Sequence, residues 1–358
     1  MDKDRNKQVL FELIQVALGN RAQLSIIPMA EEWHAVYEES MKQSVAGICL
    51  SGVEHLSIAN EGQIVNMPRM LKLEWIGSIE QIKRQNHILN KKVETLATLL
   101  DKHHIRYAVV KGQVVESYYD KPEYRQSGDI DFFVPQEYAE KTKKVIEDEW
   151  QGEMDKGNSA KHYDFEHNGI TYEMHFLLFE WYQEKREKNW QEILHNAMNY
   201  RMKIGETQVA TLEPTIHALY VFMHLYHHLI EVGVGLRQFC DLAMMLKAEI
   251  DREQLKKYLE ILGMNRAFMA CEYIIGNKLG LAEESLPYKI RSIDRWFGRT
   301  ILNIVLYRGN MGHYNKRHGW KGIGHKMESA CIKIAHFLKL WWLSPSYHVA
   351  SLNHQLLG

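Results

Sequence analysis

Residues 126–135 read Gln126-Ser127-Gly128-Asp129-Ile130-Asp131-Phe132-Phe133-Val134-Pro135. The β-branched and aromatic run from Asp129 to Val134, closed by proline, predicts a short strand. Successive side chains of a strand point to opposite faces, so Asp129 and Asp131 share one face and Ile130 and Phe132 the other. Two acids therefore project together from an otherwise apolar strand.

Working outward, Ile105-Arg106-Tyr107-Ala108-Val109-Val110 predicts an earlier strand, stopped by Lys111-Gly112. Residues 136–150 carry Tyr138, Val145 and Ile146 at helical spacing and predict a connecting helix. Residues 163–167 and 170–176 flank Asn168-Gly169, a dipeptide that supplies two positive φ angles to a tight hairpin. On the second arm of this hairpin Ile170, Tyr172, Met174 and Phe176 make an apolar face, leaving Thr171, Glu173 and His175 opposite. Glu173 is thus a third acid for the same region.

Like charges held a few ångströms apart repel, so three converging carboxylates imply a divalent cation or raised pKa values. Mg²⁺ suits them, because it prefers hard oxygen ligands and keeps positions for water and phosphate. The alternative for the same residues is structural, with Asp129 capping the strand, Asp131 paired with Arg125 and Glu173 solvated. The order of the segment also matters. The acids open the strand rather than end it, which argues against an aspartyl-phosphate phosphatase and an Asp-x-Asp glycosyltransferase.

The arrangement resembles the polymerase β-like nucleotidyltransferases, with a glycine turn after one strand, an acid pair on the next and a third acid on a later strand. Val109-Val110-Lys111-Gly112, Tyr118-Tyr119, Pro122, Arg125 and Gly128-Asp129-Ile130-Asp131-Phe132-Phe133-Val134 resemble more closely the bacterial uncharacterised nucleotidyltransferase family. Glu173-Met174-His175-Phe176 is similar to that family's later acid strand, and His224, His227-His228 and Leu236-Arg237-x-x-x-Asp241 to its helical C-terminal segment. The resemblance implies that Asp129 and Asp131 bridge two Mg²⁺ ions, with Mn²⁺ as the alternative, and that Glu173 completes the site. It implies a nucleotide site at Lys111, Gly112, Arg125 and Gly128, and transfer of a nucleoside monophosphate from an NTP with release of pyrophosphate. Two departures stand out: Gly112 is followed by Gln113 where Gly-Ser or Gly-Gly is common, and the third acid is Glu rather than Asp.

His224, His227 and His228 lie at i, i+3 and i+4 of an apolar helix. Without a further ligand in sequence they are expected behind the site rather than on zinc, as is His175. Arg237 and Asp241, one turn apart, either pair with each other or brace the site. Trp341-Trp342 is expected as a buried aromatic pair, with a membrane interface as the alternative.

The 358 residues are 46% hydrophobic and 25% charged with 7 prolines, a globular composition that excludes disorder and collagen-like order. The chain opens Met1-Asp2-Lys3-Asp4-Arg5 and has no apolar window of membrane-spanning length, so a cytoplasmic protein is expected. Cys49, Cys240, Cys271 and Cys331 are far apart and form no Cys-x-x-Cys pair, which excludes a disulfide framework or cysteine zinc site. The net charge of −1 conceals an asymmetry: residues 287–358 hold eleven Lys and Arg against Asp294 and Glu328. Such a basic end can attract nucleic acid, although no recognition motif accompanies it, so the acceptor is expected to be a small molecule or a protein. A catalytically silent nucleotide-binding or regulatory protein is the remaining alternative.

Residues 85–103 place Leu89, Val93, Leu96 and Leu100 on one helical stripe. Segments 215–229, 236–248, 252–262, 266–279 and 326–342 also read as helices, with little strand texture beyond 206. The expected fold class is α+β and mostly helical: an N-terminal helical region (1–103), a small mixed-sheet core (104–205) and a C-terminal helical domain (206–358).

Overall fold

The computed structural model describes residues 3–59, 66–154, 161–231, 233–310, 324, 327, 334–335 and 337–350. The fold is α+β and mostly helical, with one mixed six-stranded sheet. Four N-terminal helices, α1 (Lys3–Ala17), α2 (Ala30–Lys42), α3 (Ala46–Ala59) and α4 (Arg69–Lys102), precede strand β1 (Ala108–Val110). A short helix α5 (Gly112–Glu116), strand β2 (Ile130–Phe133) and helix α6 (Gln136–Trp150) follow. Strands β3 (His162–His167) and β4 (Ile170–His175) form the expected hairpin, with Asn168 at φ 52° and Gly169 at φ 73°. That pair of left-handed residues lets the turn follow the strand twist.

Helix α7 (Glu184–Ala197) leads to β5 (Tyr200–Ile204) and β6 (Thr207–Thr211), and the sheet order is β3-β4-β2-β1-β6-β5. The expectation of little strand beyond 206 is corrected here. Strand β6 pairs parallel to β1 through Val109 and Thr211, and the Thr211 hydroxyl donates to the Val109 carbonyl at 2.7 Å. A lone five-residue polar-apolar segment carries no distinctive pattern, and its strand identity comes from its partners.

Helices α8 (Pro214–Glu231), α9 (Leu236–Lys247), α10 (Arg252–Ile261), α11 (Asn265–Asn277) and α12 (Ser292–Arg308) complete the main body. The expected segment 326–342 lies partly outside the described residues, and 327, 334–335 and 337–340 within it are helical. Cys331 also lies outside them.

Two apolar cores explain how the parts are held. One contains Leu89, Val93, Leu96 and Leu100 of α4 against Ile130 and Phe132 of β2, with Ile146 of α6. The other joins N- and C-terminal helices, from Val9 and Trp33 to Phe222, Phe239 and Phe268, and includes Ala108, Val110 and Phe133 of the sheet. Alternation along β1 and β2 thus directs neighbouring residues into different cores. Helix α4, about 50 Å long at 1.5 Å per residue, contributes Leu71, Trp75 and Ile79 to the second core and its later turns to the first.

Close packing also sets residue identity. A Cβ on Gly47 of α3 would stand 1.9 Å from the Tyr124 carbonyl oxygen, so only glycine lets α3 approach the 122–124 turn. At the other end of the chain, the Trp341 and Trp342 rings meet at a tilt of 34° with centroids 4.1 Å apart, yet Trp342 is 53% exposed. The expected buried pair is therefore corrected: Leu340 and Leu343 fill the adjacent core positions, turning Trp342 outward.

Candidate active site

The acids are placed by strand register. In the parallel β2–β4 pair, Asp131 lies opposite Glu173 and Phe133 opposite His175. Asp131, Glu173 and His175 therefore reach the same side of the sheet, with ligand atoms within 4.8 Å of one another. The His175 Nε2 lies 2.9 Å from Asp131 Oδ1 and 3.3 Å from Glu173 Oε2. Asp131 and His175 are buried, while Glu173 keeps partial access to a cavity of about 520 Å³. Asp129 lines the same cavity.

The wall opposite the sheet comes from α8 and α9. His224, His227 and His228 of α8 and Arg237, Gln238 and Asp241 of α9 line the cavity. Lys111 links the two sides: its ammonium pairs with Asp131 Oδ1 and donates to His224 Nε2 at 3.0 Å. Its backbone N–H donates to His217 Nε2, also at 3.0 Å. Lys111 adopts φ 55° and ψ −131°, a conformation costly for a residue with a side chain, and this places both its amide and its ammonium on α8. His224 Nε2 is also 3.0 Å from His228 Nε2.

Charge and burial tune these groups. The neighbouring Asp131 charge, reinforced by burial, raises the Asp129 carboxyl above its ordinary range. Burial would raise Glu173, but His175 and Lys111 outweigh it and bring Glu173 down to about 2. Burial likewise opposes protonation of His175, yet the Asp131 and Glu173 carboxylates raise it. On α8, burial holds His217, His227 and His228 down at about 3, and burial with the Lys111 charge holds His224 well below the ordinary imidazole range. A neutral imidazole wall thus faces a cluster of acids.

Arg125 is held differently from the sequence alternatives. Its Nε and Nη2 donate to both oxygens of Asp241 at 2.7 and 2.8 Å, its Nη1 donates to the Ser127 hydroxyl, and the Tyr119 hydroxyl donates to Asp241 Oδ1. The structural alternative of an Asp131–Arg125 pair is corrected, because Lys111 takes Asp131 and Asp241 takes Arg125. The Arg237–Asp241 helix pair is corrected on the same ground. Arg237 instead donates to the Gln126 carbonyl, and its Nε has no hydrogen-bond partner among the described residues.

Gly112 lines the cavity, with Asp129 O at 3.6 Å the nearest atom to where a Cβ would stand. Gln113, whose place after Gly112 departs from the common pattern, is 1% exposed, and neither amide atom has a hydrogen-bond partner among the described residues. Gly128 precedes Asp129 at an open, exposed position.

The sequence reading missed Lys161, His162, Phe179, Tyr182 and Tyr220, all on the cavity wall. For Tyr220 a signal existed: His217, Tyr220, His224 and His228 form a polar stripe at helical spacing on an otherwise apolar helix. The others come from loop positions and a strand start, where no periodicity marks a side chain.

A mixed sheet with an acid on each of two neighbouring parallel strands, walled by helices, is a nucleotidyltransferase core. The chain belongs to the uncharacterised nucleotidyltransferase family, whose model matches residues 29–276. Among solved structures it is similar to an antigenic nucleotidyltransferase-like protein from Paracoccidioides brasiliensis, at 15% identity and a TM-score of 0.35. That similarity covers 54% of this chain and 92% of the other. No curated protein matches the chain. Among the described residues, no helix is long and apolar enough to cross a membrane.

Proposed function

We propose that the protein is a cytoplasmic, metal-dependent nucleotidyltransferase that moves a nucleoside monophosphate from an NTP to a small-molecule or protein acceptor and releases pyrophosphate. The convergence of Asp131, Glu173 and His175 on one cavity wall carries this reading, together with family membership. The buried, unbridged Cys49, Cys240 and Cys271 agree with a reducing compartment.

The donor set fits a divalent cation. Asp131 and Glu173 present hard oxygens, and the elevated Asp129 carboxyl marks negative charge that the protein's own cations leave incompletely neutralised. Asp131 and Glu173 would hold the ions, with Asp129 beside them. When bound, Mg²⁺ or Mn²⁺ supplies Lewis-acid stabilisation of charge at the transferring phosphorus.

The chain's own residues would bind and orient the triphosphate. Gly112 and Gly128 leave open backbone at the cavity edge, and Lys111, Lys161 and Arg237 place positive charge on its wall. Arg125 would act mainly by fixing the Gln126–Ser127 backbone ahead of Asp129, because Asp241 and Ser127 already take its donors. His224 and His228 would position Lys111 rather than touch the phosphate. A volume of about 520 Å³ suits a nucleotide-sized ligand.

The test is incubation with each labelled NTP and Mg²⁺ or Mn²⁺, with and without cell extract. Label transfer to a discrete acceptor, lost in Asp131→Asn, supports the proposal. Absence of transfer supports the catalytically silent alternative: a midpoint raised by millimolar metal and NTP then marks a nucleotide-binding member, and an unchanged midpoint a regulatory one that binds no nucleotide.

A further inference from the structure

We propose that His175 is itself a metal ligand, through Nε2, and that the resulting mixed set of Asp131, Glu173 and His175 selects Mn²⁺ over Mg²⁺. The inference rests on the metal-dependent reading above and deepens it.

Position supports the assignment. His175 follows Glu173 by two residues on β4, so both side chains share the face that Asp131 presents from β2. A histidine supporting a metal site from behind bonds a ligand's far side and leaves the metal-facing oxygens free. His175 does otherwise: one nitrogen, Nε2, lies between an oxygen of Asp131 and an oxygen of Glu173. The same Asp131 Oδ1 also pairs with the Lys111 ammonium, so this oxygen faces the cavity side of the sheet rather than its core.

The separations agree with shared coordination. In an octahedral site with bonds of about 2.1–2.2 Å, neighbouring ligand atoms are about 3.0 Å apart. Without an ion the 2.9 Å contact to Asp131 is a hydrogen bond, and the two Nε2–carboxylate distances, 2.9 and 3.3 Å, also bracket the spacing of ligands that share one ion. His175 is 7% exposed and its ring lies edge-on to His162 at 5.1 Å, so it has little freedom to swing away. A second buried polar group, the Tyr220 hydroxyl, lines the same cavity beside Lys111.

The chemistry then sets the preference. Mg²⁺ holds to oxygen ligands, whereas Mn²⁺, which carboxylates suit equally, is a first-row transition ion and accepts one imidazole nitrogen beside them more readily than Mg²⁺ does. For Nε2 to ligate, His175 must be neutral with its proton on Nδ1.

The experiment is Mn²⁺ titration of the full chain without nucleotide, followed by electron paramagnetic resonance, with pulsed measurement of ¹⁴N coupling to the bound ion. The wild-type protein should show coupling to a coordinated imidazole nitrogen. His175→Gln should lose it and bind Mn²⁺ about tenfold or more weakly, since even outer partners of a metal site are worth 10- to 100-fold. Mg²⁺ affinity should change by less, narrowing the Mn²⁺ to Mg²⁺ ratio. His162→Gln and His224→Gln should retain the coupling.

If His175→Gln fails to fold, ¹⁵N-histidine labelling of the wild-type protein reports histidine ligation, and its persistence in His162→Gln, His224→Gln, His227→Gln and His228→Gln assigns it to His175 among the cavity histidines. Mn²⁺ binding without nitrogen coupling, or with unchanged affinity in a folded His175→Gln, overturns the inference and leaves the nucleotidyltransferase reading standing. Failure of the wild-type protein to bind either ion, alone or with NTP, would overturn both.

Discussion

The buried Arg125–Asp241 pair offers a quantitative test, because its residues line the cavity yet their contacts are structural. The Asp241 carboxylate accepts from Arg125 Nε at 2.7 Å, from Arg125 Nη2 at 2.8 Å and from the Tyr119 hydroxyl at 2.8 Å. The two charged side chains are 4% and 7% exposed, and Asn86 of α4 donates to the Arg125 carbonyl at 2.6 Å. The pair therefore ties α4, the segment before β2 and α9 together. Asp241→Ala leaves a guanidinium uncompensated in the interior, which costs about 3–5 kcal/mol. At about 2.1 cal/mol/K per residue, a chain of 358 residues has an unfolding entropy near 0.75 kcal/mol/K, so the midpoint should fall by roughly 4–7 °C.

Differential scanning calorimetry of Asp241→Ala, Arg125→Ala and the double variant Arg125→Met/Asp241→Leu would measure this. The double variant should recover at least half of the loss, because it removes both charges and retains apolar volume. The pH dependence has a defined sign. Burial would raise Asp241, but Arg125 outweighs it and holds the carboxyl below its ordinary range. The pair's contribution is therefore present above the unfolded carboxyl value and is lost as pH falls through the lower folded one. An Asp241→Ala midpoint within 1 °C of the parent, or a double variant as unstable as the two single losses summed, would refute the reasoning.

Three further outcomes are expected. Asp131→Asn should reduce nucleotide transfer by about a thousandfold or more, measured with labelled NTP. Its stability without ligand should also fall, by about 1–3 kcal/mol in urea titration, because Lys111 and His175 already compensate the Asp131 charge. Lys111→Gly should be more stable than Lys111→Ala by about 1–2 kcal/mol, since φ 55° with ψ −131° strains any residue with a Cβ; equal chemical-denaturation midpoints would count against this. Glu272 is fully buried, Oε1 accepts from the Tyr288 amide, Oε2 has no partner among the described residues, and burial pushes the carboxyl up to about 8. Stability from this raised group is complete below the unfolded carboxyl range and is lost as pH rises toward and through 8. Glu272→Gln should therefore raise the midpoint at pH 9, with little change at pH 4.

Local chemistry made much of the fold readable. The Asn168-Gly169 hairpin, the helix from Gln136 to Trp150 and the α4 stripe of Leu89, Val93, Leu96 and Leu100 follow from residue conformational preferences and periodicity, which neighbours in sequence determine. The same alternation placed Glu173 and His175 on one strand face. Strand β6 was illegible because a short strand takes its identity from pairing, here with β1 about a hundred residues earlier.

At the site, the sequence determined which residue types were present but not how charges paired. Arg125 had Asp131 and phosphate as candidate partners, and Asp241 was paired with Arg237. Only packing of α9 against the segment before β2 selects Asp241, while the positive φ of Lys111 delivers its ammonium to Asp131. Likewise, the Asp131–Glu173 alignment arises from the β2–β4 register, and the position of His175 Nε2 between the two carboxylates follows from it. Propensity acts over a few residues, whereas electrostatic pairing in a buried site acts over a few ångströms between residues of any separation, and that distance exists only in the folded chain.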